Sequence, residues 1–385
     1  MKQTVLFCKG LATNTSIQSI HLNVLGGNIF GLLNPFFKNN PKLNELEIDD
    51  CHYYQFWDDL ISALSNCLLL KVVKIRYMEL MGEESGDIFE VLRQHQPQLE
   101  VLEYPGNSLS RRSGEGEEAL TNLLRDSNQL HTLDVSRNGI VGESLQEGLL
   151  QYLGKLSCLN LSYNMLSIND FDGYQAIATL LGDPSCNLHE LTLNGSNIQG
   201  ERLRSFARAM TKNKTLMILD LSRNSINAAD WAVFSNVLCD TSSVNNTYKS
   251  NHKLWQLVKD GPVISFQGAP GSHQNRERLP GLIPHYLDLN KYDDKKKVAA
   301  LKILQYSRHN ITMLPFFEWE LSCLPIAVNW FDNAAPYYRR PPVFRKEVET
   351  SKLQAIYEFV RGMPVECSDG YFGRNKKGSK KRARS

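Results

Sequence analysis

The 385-residue sequence predicts an α/β solenoid, with short parallel strands stacked on one side and helices on the other. Three observations predict it: a recurring leucine register, a small polar residue at a fixed place after it, and a helical stripe in the intervals. The register reads L-x-x-L-x-L-x-x-N-x-L. It is nearly intact at Leu130-Leu133-Val135-Asn138-Ile140, Leu156-Leu159-Leu161-Asn164-Leu166 and Leu216-Leu219-Leu221-Asn224-Ile226. Looser copies begin at Ile17, Leu43, Leu70, Leu99 and Leu188, so eight starts are spaced by 26 to 32 residues.

Each element has a physical basis. Alternation in the central L-x-L turns the leucines to one face and the residues between them to the other. Stacked copies then form a parallel sheet whose inner face is a continuous apolar core. Where the chain turns after the strand, a buried Asn satisfies backbone groups left unpaired there. That role falls to Asn107, Asn138, Asn164 and Asn224, with Cys51 and Ser196 as weaker substitutes. In Gly116–Leu124 the apolar residues 119, 120, 123 and 124 form a helical stripe behind a first turn containing Glu117 and Glu118. Similar stripes lie in Ser144–Leu153, Ala176–Leu181, Leu203–Met210 and Trp231–Leu238, and looser ones in Trp57–Leu64 and Ile88–Leu92.

A strand followed by a full helix, in units of about 28 residues, resembles the ribonuclease-inhibitor-like class of leucine-rich repeats, and is similar to Ran GTPase-activating and NOD-type repeats. The resemblance covers roughly residues 1–240. It implies a curved horseshoe with the sheet on the concave side and the helices outside.

The ends depart from this pattern. Met1–Ser16 reads as the helical half of a unit, without the polar lid that protects a solenoid's edge, so the array either starts mid-unit or is covered by a partner. Leu254-Leu257 begins an imperfect ninth copy. The expected division is a solenoid over 1–260, a Gly/Pro-rich linker over 261–290, a helical C-terminal cap over 291–365 and a basic disordered tail over 366–385. Helical spacing returns in Lys295–Tyr306 and Leu353–Val360, with an aromatic stretch between Leu314 and Phe331. The stretches PFFEWE…LPIAVNWF and IYEFVRGMP resemble the helical segment that follows such repeats in diatom and related algal proteins.

Composition narrows the function. The chain is 42% hydrophobic and 22% charged, which excludes wholesale disorder. Residues 374–385 hold seven basic residues and no acid, leaving 36 Lys+Arg against 41 Asp+Glu in residues 1–373. A mildly acidic body argues against a fold-wide nucleic-acid surface. No segment is apolar for long enough to span a bilayer, and Val5–Cys8 is too short for a secretory core. Eight scattered cysteines suit buried thiols in a reducing compartment, so the expected location is cytoplasm and/or nucleus. Six Asn-x-Ser/Thr triplets (Asn14, Asn160, Asn194, Asn213, Asn245, Asn310) read as part of the repeat pattern rather than as glycosylation sites.

No phosphate loop, H-E-x-x-H pair, nucleophile elbow, kinase signature or EF-hand loop is present. The expectation is therefore a non-enzyme with no cofactor and no metal, working as a protein-interaction scaffold. The alternative is a GTPase-activating regulator of a Ran-type small GTPase, although such proteins carry an acidic tail where this chain has a basic one. Residues between the strand leucines, and just beyond them, should face a partner. The candidates are Glu47, Asp49, Lys74, Arg76, Tyr77, Asp134, Arg137, Tyr163, Asp220 and Arg223. Tyr and Arg are the residue types enriched at interaction hot spots. The tail residues Lys376, Lys377, Lys380, Lys381, Arg382 and Arg384 form a cluster of nuclear-localisation type, so an import receptor is a further expected partner.

Overall fold

A computed structural model describes residues 2–302, except 24–28, 51–56, 68, 111–113, 167–172, 243, 260–278, 280, 296–297 and 300. The chain divides into two compact units, one of residues 1–231 with 256–279 and one of residues 232–255 with 280–385.

In the first unit strands and helices alternate. The chain runs α1 (Lys2–Ala12), β1 (Ser19–Asn23), α2 (Ile29–Asn39), β2 (Glu45–Asp49), α3 (Trp57–Asn66), β3 (Val72–Arg76), α4 (Gly82–His95) and β4 (Val101–Glu103). It continues with α5 (Glu115–Asp126), β5 (Thr132–Asp134), α6 (Gly142–Ser144), a π turn (Leu145–Leu149), α7 (Leu150–Leu153) and β6 (Cys158–Asn160). Then come α8 (Gly173–Gly182), β7 (Glu190–Thr192), α9 (Gly200–Lys212), β8 (Ile218–Asp220) and α10 (Ala228–Trp231), and β9 (Gln256–Val258) ends the sheet. The nine strands pair in sequence order, all parallel. The sequence register is the sheet register: Leu46, Val73, Leu102, Leu133, Leu159, Leu191, Leu219 and Leu257 lie side by side in one buried row. The imperfect ninth copy supplies β9.

The helices bury the stripes expected of them. In α5, Leu120, Leu123 and Leu124 are buried, while Glu115, Glu117 and Glu118 in the first turn and Arg125 in the last oppose the helix dipole. The helix α2 was not visible as a stripe. It contains Gly31 and Pro35, yet it buries Phe30, Leu33, Phe36 and Phe37. The stretch expected as one helix over 144–153 is broken by the π turn. Buried Leu145, Leu149 and Leu153 are spaced by four residues, and a wider turn keeps such a row from drifting round the helix.

Buried amides close the turns. Asn164 accepts from the backbone N–H groups of Asn138 (3.0 Å) and Ile140 (3.1 Å) and donates to the carbonyls of Val135 and Leu161. Asn107 and Asn224 do the same for Met78 and Leu80 and for Ser196 and Ile198. Ser196 only donates to Asn194 O at 3.3 Å, and Cys51 lies outside the described residues. A second amide position lies before the strand and outside the leucine motif, where Asn14 and Asn213 read as part of the repeat pattern: Asn14, Gln96, Asn213 and Asn251 each accept from backbone N–H groups two or three residues on or, for Gln96, one unit back.

The second unit holds α11 (Val233–Leu238), α12 (Val244–Lys249) and α13 (Ile283–Leu289). The helix α13 occupies ground expected to be linker; Ile283, Tyr286 and Leu287 give it a buried helical face, and Pro284 sits in its first turn. Lys302 is fully buried and donates to the carbonyls of Leu238 (2.6 Å) and Asn251 (3.3 Å), with burial holding its ammonium down to about 7. The aromatic stretch 314–331, the helix expected at 353–360 and the tail 366–385 lie outside the described residues.

Candidate functional site

The face of the sheet turned away from the buried leucine row is the surface on which the candidate residues meet. Along β2 to β9 the outward residues are half-buried, alternating with fully buried ones. This face and the ledge of turns beside it differ sharply between their early and late strands.

On β1 to β4 the charges are engaged with one another. Arg76 donates to Glu47, to Asp49 (3.2 Å) and to Glu103 (2.6 Å), while Lys74 donates to Glu45 at 2.9 Å and lies 3.7 Å from Glu47. Burial pulls the Arg76 guanidinium down, but its bonds to Glu103 and Glu47 and the charges of Glu103 and Asp49 outweigh it, so it is held above its ordinary value. The Lys74 bond lowers the Glu45 carboxyl, and Glu45 in turn raises the Lys74 ammonium. His21 completes the cluster through Asp49 at 2.9 Å. His21, Glu47 and Asp49 place potential metal-ligand atoms within 4.8 Å of one another, but the Arg76 guanidinium already bonds both carboxylates. The acids of β2 and the bases of β3 are thus two halves of one ion-pair network.

Asp134 and Asp220 work within their own turns. Each accepts from the backbone N–H two residues on, Ser136 or Ser222, at 2.8 Å, and Asn160 does the same for Ser162. Asn160 also donates to Asp134 at 2.8 Å. Burial nevertheless raises the Asp134 carboxyl, against the bonds from Ser136 and Asn160.

The remaining four candidates share a backbone position. Asp50, Tyr77, Gly106, Arg137, Tyr163, Gly195 and Arg223 occupy equivalent places just beyond seven successive strands, and all have φ between 53 and 71°. The N–H groups of the first six carry the ladder past the strands: Tyr77 bonds Pro105 O, Arg137 bonds Ser162 O and Tyr163 bonds Asn194 O, each at 2.9 Å. The left-handed conformation costs a bulky side chain of the order of 1 kcal/mol and glycine nothing. The chain uses glycine at 106 and 195, where the preceding tyrosine lies across the position. A Cβ at Gly106 would stand 2.1 Å from Tyr77 Cδ1, and one at Gly195 2.2 Å from Tyr163 Cε1. Tyr163 is a hub: the Arg137 guanidinium stacks 3.9 Å from its ring centre, and Arg223 Nη1 donates to its hydroxyl at 2.8 Å.

No family model and no curated protein matches the chain. Among solved structures it is similar to the leucine-rich repeat-containing protein LegL7 from Legionella pneumophila, with 16% identity and a TM-score of 0.43 over 68% of this chain and 82% of that one. The fold is a leucine-rich-repeat solenoid. Strand order and repeat register, read from this chain itself, carry that assignment.

On the helix side, an open groove of about 840 Å³ between α8 and α9 is lined by Gln175, Thr179, Asp183, Ser205, Arg208 and Lys212. Arg208 there is bonded to Glu201. The five described cysteines are free thiols: Cys8, Cys67, Cys186 and Cys239 are buried and Cys158 half-buried. The basic cluster Lys376 to Arg384 lies outside the described residues.

Proposed function

We propose that the protein is a non-catalytic scaffold of the ribonuclease-inhibitor-like repeat class, which holds a protein partner on the outward face of its sheet. The observation behind this reading is the nine-strand face itself, whose outward side chains along β2 to β9 stay half-buried and reachable while the opposite side is a buried leucine row. Such a surface presents many residues on a rigid frame, which suits recognition better than enclosure of a small substrate.

Site-specific photo-crosslinking tests this. A photoreactive residue is placed at Asn160 or Thr192 on the sheet face, and at Gln151 or Lys212 on the helix side, in the full chain expressed in its own cell type. Adducts confined to the sheet-face positions are expected. Equal or exclusive crosslinking from the helix-side positions would overturn the reading.

A further inference from the structure

We infer that Lys302 is a proton-operated latch of the second unit: its uncharged amine ties residues 238 and 252 together, and taking up a proton loosens that tie. The latch is independent of the scaffold reading.

The second unit is made of two stretches of chain, 232–255 and 280 onward, and Lys302 reaches from one into the other. It follows the buried Val298 and Ala299 on a helical turn. Its Nζ lies 2.6 Å from Leu238 O at the end of α11, 3.3 Å from Asn251 O and 3.2 Å from His252 Nδ1. His252 Nε2 faces Tyr248 O at 3.0 Å. A carbonyl can only accept, so the hydrogen of the neutral imidazole is on Nε2, and Nδ1 accepts from Lys302. Asn251 O also takes a hydrogen bond from Asn290 Nδ2 at 3.2 Å. The notch therefore asks for two N–H groups, one for Leu238 O and one for His252 Nδ1, and a neutral amine carries two. The third N–H of an ammonium meets only the long contact to Asn251 O.

The notch supplies no anion to balance an added proton. Lys302 is fully buried and forms no ion pair with a carboxylate among the described residues. The titratable and charged groups around it are the Cys239 thiol just after α11, Tyr248 of α12, His252, Tyr286 of α13 with its ring centre 5.8 Å away, and Lys295 on the same segment. Asp240 acts on Cys239, and Lys253 on Lys295. Burial pulls the ammonium down, Cys239 raises it and Lys295 lowers it again, which leaves it at about 7. A proton on His252 Nδ1 would set a second cation 3.2 Å from the first. A lysine in water keeps its proton up to about 10.4. Between about pH 7 and 10 the closed notch thus holds one proton fewer than an opened one, so opening is favoured as the pH falls through that interval. Below it the lysine adds no further slope.

Cys239, buried and next in sequence to Leu238, reports the opening. The full chain is pulsed with iodoacetamide, and alkylation of Cys239 is read by mass spectrometry against the urea-unfolded chain at the same pH. Cys186, a buried thiol of the first unit, is read in the same samples. Protection of Cys239 is expected to fall close to tenfold from about pH 8.5 to about pH 7.5, the effect of one proton taken up on opening, while that of Cys186 stays level. Lys302→Met and Lys302→Gln cannot take the proton, so each should abolish the slope whatever its absolute protection. Protection of Cys239 that is constant over this interval, an equal slope at Cys186, or a slope that persists in either folded variant would each overturn the inference. If circular dichroism shows that neither variant folds, the parent slope at Cys239 and its absence at Cys186 decide.

Discussion

At the residue scale the turns are held by buried or half-buried amide side chains. Asn164 satisfies two N–H groups of the preceding unit and two carbonyls, one of them in its own unit, and each would otherwise be buried without a partner. Leaving a buried polar group unmade costs about 1–3 kcal/mol. Asn164→Ala should therefore lower unfolding free energy by roughly 3 kcal/mol or more, measured by urea titration. Asn197→Ala, at an exposed left-handed position (φ 56°), serves as the mild control. These asparagines were legible in the motif. The amides before the strands were legible only at Asn14 and Asn213, through their Asn-x-Ser/Thr triplets, because Gln96 and Cys67 take the same place in other units.

Among the elements, neighbouring helices start so close that only glycine fits. A Cβ at Gly173 would lie 2.7 Å from Leu166 O and 3.0 Å from Gly142 Cα, and one at Gly142 would lie 2.5 Å from Leu166 O. These contacts are with backbone, which cannot swing away as a flexible side chain would. Gly173→Ala should thus destabilise the chain by about 1–3 kcal/mol, although alanine is the better helix former. A lowered melting temperature checks it, and an unchanged or raised one would mean that the first turns of α6 and α8 are looser than drawn. The π turn belongs to this scale as well. Sequence periodicity finds a helix over 144–153, but the four-residue spacing of Leu145, Leu149 and Leu153 is met by widening the helix locally.

Taken as a whole, the first unit is a one-dimensional stack in which each rung is buried only by its neighbours. Leu161 is fully buried between the corresponding Val135 and Leu193. Replacing it with Ser removes an apolar side chain and leaves a cavity, a cost of about 3–5 kcal/mol. Because stability in such arrays is shared through interfaces, the loss should spread. Hydrogen exchange in Leu161→Ser should speed up in β5 and β7 as well as in β6. Protection lost in β6 alone would argue that the units are energetically independent.

The sequence by itself determined the register, the strand order that follows from it, and the positions of most helices. A repeat writes its packing into the spacing of its leucines, and each rung consults only adjacent rungs. The residues it nominated lie on, or just beyond, successive strands of the sheet. Only the tertiary structure decided what those residues do. Residues some 27 positions apart in the chain are side by side in the sheet, so whether a charge is spent or available depends on the rung next door. That is how Glu47, Asp49, Lys74 and Arg76 became one network while Arg137 stacks on an aromatic neighbour and meets no acid among the described residues. Spacing specifies neighbours; distance and burial decide which of them are partners.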